Sequence, residues 1–418
     1  MHATFKVFIL VLMASPFSMA QSITLAECYE KARANYPLIK QKELVSKSLE
    51  YSVANVQTGY LPQLSVNGQA TYQSDVTRIP GGASFVEPLS KDQYKIYLEL
   101  NQAIYDGGIT KKNSAIQETS AQVEDQKIEV ELYKIKDRIN QIYFGALLIN
   151  EQQVQNELVR KDLEASFLRM ESAVRNGIAF RTNADILQAE ILKIQQRKVE
   201  LNAARKSYLD MLGMFIHEEL SESTILQKPD APIKPAELTI ARPEISLYNF
   251  QGQLLFAQQQ LSNTRVTPRI SLFAQGGYGR PGLNMLLNEF NTYYLGGIRL
   301  SWNLGGYYNS GRDRQLLDLN LQSLNQQRET FVFNTNLSLR QQNNEITKLN
   351  DLLQIDEKLI DLRTKIKNTA KAQLDNGVIT ANDYLRELNA EDQAKQNLLV
   401  HQIQLLMTQY SQLATSGN

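Results

Sequence analysis

The sequence predicts a mixed α and β membrane protein whose protomer is a duplicated unit of helix, β-hairpin, long helix and return helix. Three observations predict it. Two long stretches, 110–175 and 312–375, contain no proline and carry apolar residues at seven-residue spacing. Four shorter stretches alternate apolar and polar residues, the pattern of strands with one apolar and one polar face. The punctuation also recurs between the two halves: Pro37 to Pro62 spans 25 positions, and so does Pro243 to Pro268. Recurrence of period, punctuation and order together is the mark of an internal repeat.

In chain order, Lys6, the apolar run Val7 to Met13 and Ser18-Met19-Ala20 before Gln21 read as a secretory leader over residues 1–20. The run is about half as long as a membrane-spanning helix requires, so it predicts export and no helical anchor. Lys6 is the only charge in the leader, leaving 43 basic against 44 acidic residues in the mature chain. That balance gives no footprint for nucleic acid. The single cysteine, Cys28, has no internal disulfide partner and does not stand at the cleavage site as a lipoprotein cysteine would. It reads as a small buried residue.

The first repeat, 21–226, opens with a helix from Thr24 to Thr58, started by a Thr24/Glu27 capping box and ended by Gly59 and Pro62. Strands are expected at about 62–75 and 92–105, around a turn-rich segment from Asp75 to Ser90. The long helix 110–175 carries Ile128, Ile135, Ile142 and Ile149 on one ladder, with Leu132 and Ile139 on a neighbouring one. At roughly 100 Å it is too long for an ordinary globular core to bury, so it needs other long helices beside it. A break at Asn176-Gly177 precedes the return helix 183–214. After a proline-rich linker, 227–242, the second repeat fills 243–418. It offers strands at about 268–279 and 292–304, a long helix 312–375 and a return helix 380–414. Here Leu317, Leu324 and Phe331 make one ladder, and Ile346, Leu353 and Ile360 another.

Strands of this length cross a bilayer when tilted, for which about 9–11 residues suffice. Tyr60, Tyr72, Tyr94, Tyr105, Tyr278, Tyr293 and Trp302 cluster near strand ends, where aromatic girdles sit. Alternation alone fits equally a soluble sheet with one buried face, and the competing reading is a periplasmic coiled-coil scaffold or adaptor with soluble hairpins. The long helices favour a duct, because a soluble sheet has no need of hairpins at one end of such rods. Four strands cannot close a barrel, the smallest having about eight, so two, three or four copies must contribute.

The pieces Ile23-Thr24-Leu25-Ala26-Glu27-Cys28, Asn35-Tyr36-Pro37-Leu38, Tyr60-Leu61-Pro62 and Ile104-Tyr105-Asp106-Gly107-Gly108 occur in that order. Asn176-Gly177 with Asp185-Ile186-Leu187 follows, and Asn376-Gly377 with Asp383-Tyr384-Leu385 repeats it. Through their order and duplication the chain resembles the TolC-type outer-membrane efflux family over essentially its whole mature length. It departs at Ala103, where a proline often stands, and at the shortened Trp302-Asn303-Leu304-Gly305-Gly306. The resemblance implies a homotrimer with a 12-stranded outer-membrane β-barrel continued by a long periplasmic α-helical barrel. It also implies the role of passive exit duct for a tripartite efflux pump or type I secretion system, joined through a periplasmic adaptor to an inner-membrane pump.

A passive duct needs a wet wall and a gate. Lys95, Glu99 and Arg299 lie on polar strand faces and are the candidate lumen lining. The helix-turn tips are the expected periplasmic mouth, and in a trimer Asp375 would form a carboxylate ring there, a candidate gate. By resemblance Arg175, Asn176, Gly177, Ile178, Asn376, Gly377 and Val378 are candidate adaptor-docking tips, while the glycines serve also as helix C-caps. No catalytic constellation is present, so no enzyme is expected. His217 and His401 lack ligand-spaced acidic or cysteine neighbours in the sequence, and there is no phosphate-binding glycine loop. Neither a metal nor a cofactor is expected, and the energy for transport must come from a partner.

Overall fold

A computed structural model of the chain describes residues 22–77, 88–232 and 239–418. The leader 1–20, the middle of the Asp75–Ser90 turn segment and part of the 227–242 linker lie outside the described residues. The elements are β1 (Ser22–Ile23), α1 (Leu25–Asn35), α2 (Lys40–Gln57), β2 (Gln63–Tyr72), β3 (Asp92–Tyr105), α3 (Ile109–Arg175) and α4 (Arg181–Ile216). There follow β4 (Ile225–Leu226), α5 (Pro243–Asn263), β5 (Arg269–Arg280), β6 (Asn291–Ser301), α6 (Tyr307–Asp375) and α7 (Ala381–Ser416). Helix, strand, strand, long helix and return helix thus occur twice in the same order.

Two compact units emerge, each drawing on both halves of the sequence. One takes in the N-terminal stretch to Tyr36, Leu132–Ala241 and Thr335–Asn418; the other is Pro37–Glu131 with Arg242–Asn334. In the first unit, α3, α4, α6 and α7 pack around Leu163, Leu187, Leu374, Tyr384 and Leu388. Elsewhere in that unit the short strands β1 and β4 pair in parallel. The buried Tyr143 hydroxyl donates to the carbonyls of Ile23 (2.9 Å) and Gln227 (2.6 Å) and so fastens the ends of that pair to α3. Cys28 is fully buried, and burial pushes its thiol up to about 12, as a small core residue requires.

The second unit holds one antiparallel sheet in the order β2-β3-β5-β6. Ser65 pairs with Glu99, Glu99 with Gln275 and Gln275 with Leu295, so this polar row crosses three strands and ends on a leucine in β6. Between the two hairpins the register shifts once, between Ala103 and Tyr105. Local contacts close the chain reversal there. Asp106 accepts from the Gly108 and Thr110 amides (2.8 and 2.7 Å), capping the entry to α3. Gly107 has φ +74, and an added Cβ would lie 2.2 Å from the Thr267 hydroxyl, so the turn demands glycine twice over.

Five local expectations need correcting. The helix expected from Thr24 to Thr58 is two helices with a 3-10 turn between them. Proline disfavours helical backbone in the residue before it, and Tyr36 accordingly sits at φ −64, ψ 129, ending α1 although the capping box at Thr24 formed as expected. The long helix expected from 312 begins at Tyr307, carrying Gly311 near its start, where a Cβ would meet nothing. The return helix expected from 183 begins at Arg181. The first strand stops at Tyr72 instead of 75, and the last at Ser301 because Leu304–Gly306 winds into a 3-10 turn.

Candidate functional site

The sheet carries its apolar side chains on an open face. Leu64, Val66, Ile96 and Ile298 are 64, 70, 55 and 72% exposed, while on the two central strands the opposite face is the more sheltered one. Along β3 the alternation is strict: Tyr94, Ile96, Leu98 and Leu100 are exposed, and Lys95, Tyr97, Glu99 and Asn101 between them are half-buried. Water selects the opposite arrangement, so this face is built for a different neighbour.

Of the three residues expected to line a lumen, two meet. Arg299 donates to Glu99 at 3.3 Å, and Gln275 donates to the other oxygen of the same carboxylate at 3.1 Å. The Arg299 guanidinium also lies 4.6 Å from the centre of the Phe273 ring, a cation–π contact that fixes its direction. Lys95 stands four positions along β3 on the same face. Its aliphatic stem fills the space beside Gly279, where a Cβ would come within 2.9 Å of it.

In the helical unit the two tips are near copies. At Gly177 (φ +70) the Ile178 amide donates to the Ala173 carbonyl at 2.9 Å and the Gly177 amide to Val174 at 3.0 Å. At Gly377 (φ +72) the Val378 amide donates to Gln373 at 2.8 Å and the Gly377 amide to Leu374 at 3.0 Å. Both are Schellman caps, in which the left-handed residue lets the last helical carbonyls find donors. The caps leave Ile178 (76% exposed), Phe180 (83%) and Val378 (69%) standing out beside Arg175, Asn176 and Asn376. Only the second tip has a capping box, with Thr380 and Asp383 exchanging hydrogen bonds. The two are tied together by Asn183, whose side-chain oxygen Oδ1 accepts from the Ala381 amide at 3.2 Å.

Asp375 ends α6 and accepts from Arg169 on α3 at 3.2 Å. Both line a cavity of about 170 Å³ whose other walls include Met170, Ile178, Phe180 and Leu374. Sequence reasoning missed Arg169, which lies 206 positions from its partner. It also missed a buried charge cluster one turn and more behind the tips. There Lys367, nearly enclosed, donates to Asp162 at 3.1 Å and pairs with Glu391 at 3.3 Å; Lys371 reaches Asp162 at 2.8 Å and Lys395 reaches Glu391 at 2.9 Å. Burial alone would raise both carboxyls, but the hydrogen bonds from Lys371 and Lys367 to Asp162, and from Lys395 and Thr364 to Glu391, hold them below the ordinary range. The signal was in the sequence: the ladder of Ile346, Leu353 and Ile360 continues through Lys367 to Leu374, and a lysine at an apolar position announces a buried charge.

His401 has an acidic neighbour after all, its Nδ1 lying 2.6 Å from Asp356 Oδ2, which α6 supplies. Among the described residues no group of three or more His, Cys, Asp or Glu side chains is arranged to hold a metal ion.

No protein-family model matches the chain, and no match is found among curated proteins. Solved structures do match. The CusC structures, which concern folding and transmembrane channel formation, align over 94% of this chain and 91% of theirs at 13% identity, with a TM-score of 0.69. The outer membrane protein VceC of Vibrio cholerae aligns at 13% identity over 94% and 96% of the two chains, with a TM-score of 0.67. The open-state MtrE outer membrane channel of Neisseria gonorrhoeae does so at 15% identity over 94% and 89%, with a TM-score of 0.66. The chain therefore has the fold of outer-membrane channel proteins, the fold its motif order led one to expect.

Proposed function

We propose that this chain is the protomer of a homotrimeric outer-membrane exit duct of the TolC type. In this role it passively conducts cargo delivered by an inner-membrane pump through a periplasmic adaptor, in a tripartite efflux or type I secretion assembly. The observation that carries the reading is the inverted sheet: large apolar side chains exposed on one face, and Glu99, Arg299, Gln275 and Lys95 on the opposite one. Lipid accepts the first face and a wet lumen the second. Three copies supply a 12-stranded barrel, wide enough to leave a passage that eight strands would fill with their own side chains. A periplasmic helical barrel belongs to the same reading, as does export by a cleaved leader at 1–20. The paired tips, with exposed Ile178 and Val378, are the docking points for the adaptor. Asp375, held by Arg169, is the gate, present three times around the mouth.

The test is conductance in planar bilayers of protein purified from outer membranes. Discrete, long-lived channels are expected, with Asp375→Ala changing conductance or cation preference. Channels indifferent to Asp375→Ala would move the gate elsewhere. Recovery of the protein as a soluble periplasmic species without channel activity would overturn the duct.

A further inference from the structure

The turn joining β5 to β6 has an unusual composition for a loop at a sheet's end. Across Pro281-Gly282-Leu283-Asn284-Met285-Leu286-Leu287-Asn288-Glu289-Phe290 there is one charge, Glu289. Leu283, Met285, Leu286 and Leu287 are each about half exposed, and Phe290 is 44% exposed. This is a folded turn. The Leu286 amide donates to the Asn284 side chain at 3.0 Å and the Leu287 amide to the Asn284 carbonyl at 3.3 Å. Asn288 in turn exchanges hydrogen bonds with the backbone amide and hydroxyl of Ser90 (3.0 and 3.1 Å). Two of the turn's amides and the Asn284 and Asn288 side chains thus already have partners, while the leucines stand exposed.

Its direction is fixed by Phe290. That ring stacks on Tyr278 at 5.4 Å and on Tyr94 at 6.5 Å. Both tyrosines belong to the apolar face of the sheet. Arg280 pairs in register with Tyr94 on that same face, carries its guanidinium 5.3 Å from the Phe290 ring, and is neutralised by Asp92. The turn therefore folds toward the apolar face and away from Lys95, Glu99 and Arg299. Outward from Ile96 the face passes through Tyr278, then Tyr94 beside Arg280 with its partner Asp92, and then the leucine turn, so the aromatic rings begin before the charge pair, as they do between hydrocarbon and headgroup.

We infer that the 281–290 turn is a membrane-seated collar, whose Met285, Leu286 and Leu287 lie in the boundary between acyl chains and headgroups of the outer leaflet. The inference rests on the lipid-facing reading of the sheet. Its occupant is lipid because the turn is continuous with that face and almost free of charge.

The experiment introduces a single reactive cysteine, Leu286→Cys, labels it with an environment-sensitive fluorophore, and reconstitutes the protein in vesicles containing lipid nitroxide-labelled near the headgroup. Cys28 is fully buried with its thiol pushed up to about 12, so it stays unlabelled in the folded protein. Leu98→Cys, on the middle of the apolar face, is the companion, and Met285→Cys replaces Leu286→Cys if the latter fails to assemble. Loss of fluorescence at 286 to the lipid quencher, with protection from aqueous iodide, is expected. Quenching at 286 by iodide alone, with Leu98→Cys still quenched by lipid, would overturn the collar and leave the sheet facing lipid. Protection at 286 from both quenchers would overturn it in favour of a second copy covering the turn. Lipid quenching at neither position would bring down the lipid-facing sheet itself.

Discussion

Lys367 shows what a single residue does for this helical packing. It is enclosed against Asp162 and Glu391, so replacing it with methionine leaves the buried Glu391 and the half-exposed Asp162 each short of a partner. Loss of one member of a buried pair costs about 3–5 kcal/mol; because Lys371 and Lys395 remain, Lys367→Met should cost about 2–3 kcal/mol. The pH dependence identifies the cause. Both carboxyls are held below their ordinary range, so their contribution is complete above that range and is lost as pH falls through their folded values. Lys367 is raised, so its contribution is complete at neutral pH and is lost only as pH rises through its folded value. Thermal melts followed by helical circular dichroism should therefore show the full penalty at neutral pH and a shrinking one below about pH 4. A penalty that is the same at both pH values would assign Lys367 to packing through its methylenes.

At the scale of elements, the tips make the cleanest case. Gly177 and Gly377 sit at φ +70 and +72 with nothing within 4 Å of an added Cβ, so the only cost of alanine there is backbone strain of about 1–2 kcal/mol. Gly177→Ala or Gly377→Ala should speed hydrogen exchange at the amides that close the cap, Gly177 and Ile178 or Gly377 and Val378, while the melting temperature hardly moves. Unchanged exchange would mean the caps are held by packing of Ile178 and Val378. These caps were legible in the sequence, as were the long helices and the strands to within a few residues, because heptad spacing, alternation and Asn-Gly punctuation are local. What was not legible is non-local. Pairing of β3 with β5 joins residues in different halves of the chain, and no local pattern specifies it. The same holds for Arg169 with Asp375 and for the Asn183 cap on α7. The break at Tyr36-Pro37 is a different failure: the restriction proline places on its predecessor was readable and lost to the apolar spacing on either side.

For the whole molecule, the sheet order decides how copies can join. With β2 and β6 at its margins, the sheet offers one edge of each kind, and every neighbouring pair within it is antiparallel. Four alternating strands leave β2 and β6 running in opposite directions. The β6 of one copy can therefore pair antiparallel with the β2 of the next, and the ring closes without a parallel join whatever the number of copies. An open edge is a liability that closure removes, so in the proposed duct the number of copies is set by curvature and by what its lumen must hold. Cysteines placed at outward positions of the two edge strands, Val66→Cys on β2 with Ile298→Cys or Leu300→Cys on β6, should form disulfides between copies in the membrane. The expected readout is a non-reducing ladder that ends at three protomers, with a circular species that reduction returns to one. A ladder ending at two would mean an eight-stranded barrel, filled by its own side chains and unable to conduct. Uncrosslinked protomers with the same cysteines open to a membrane-impermeant reagent would mean that both edges stay free in the membrane, and a free edge in hydrocarbon is the one arrangement the backbone cannot sustain.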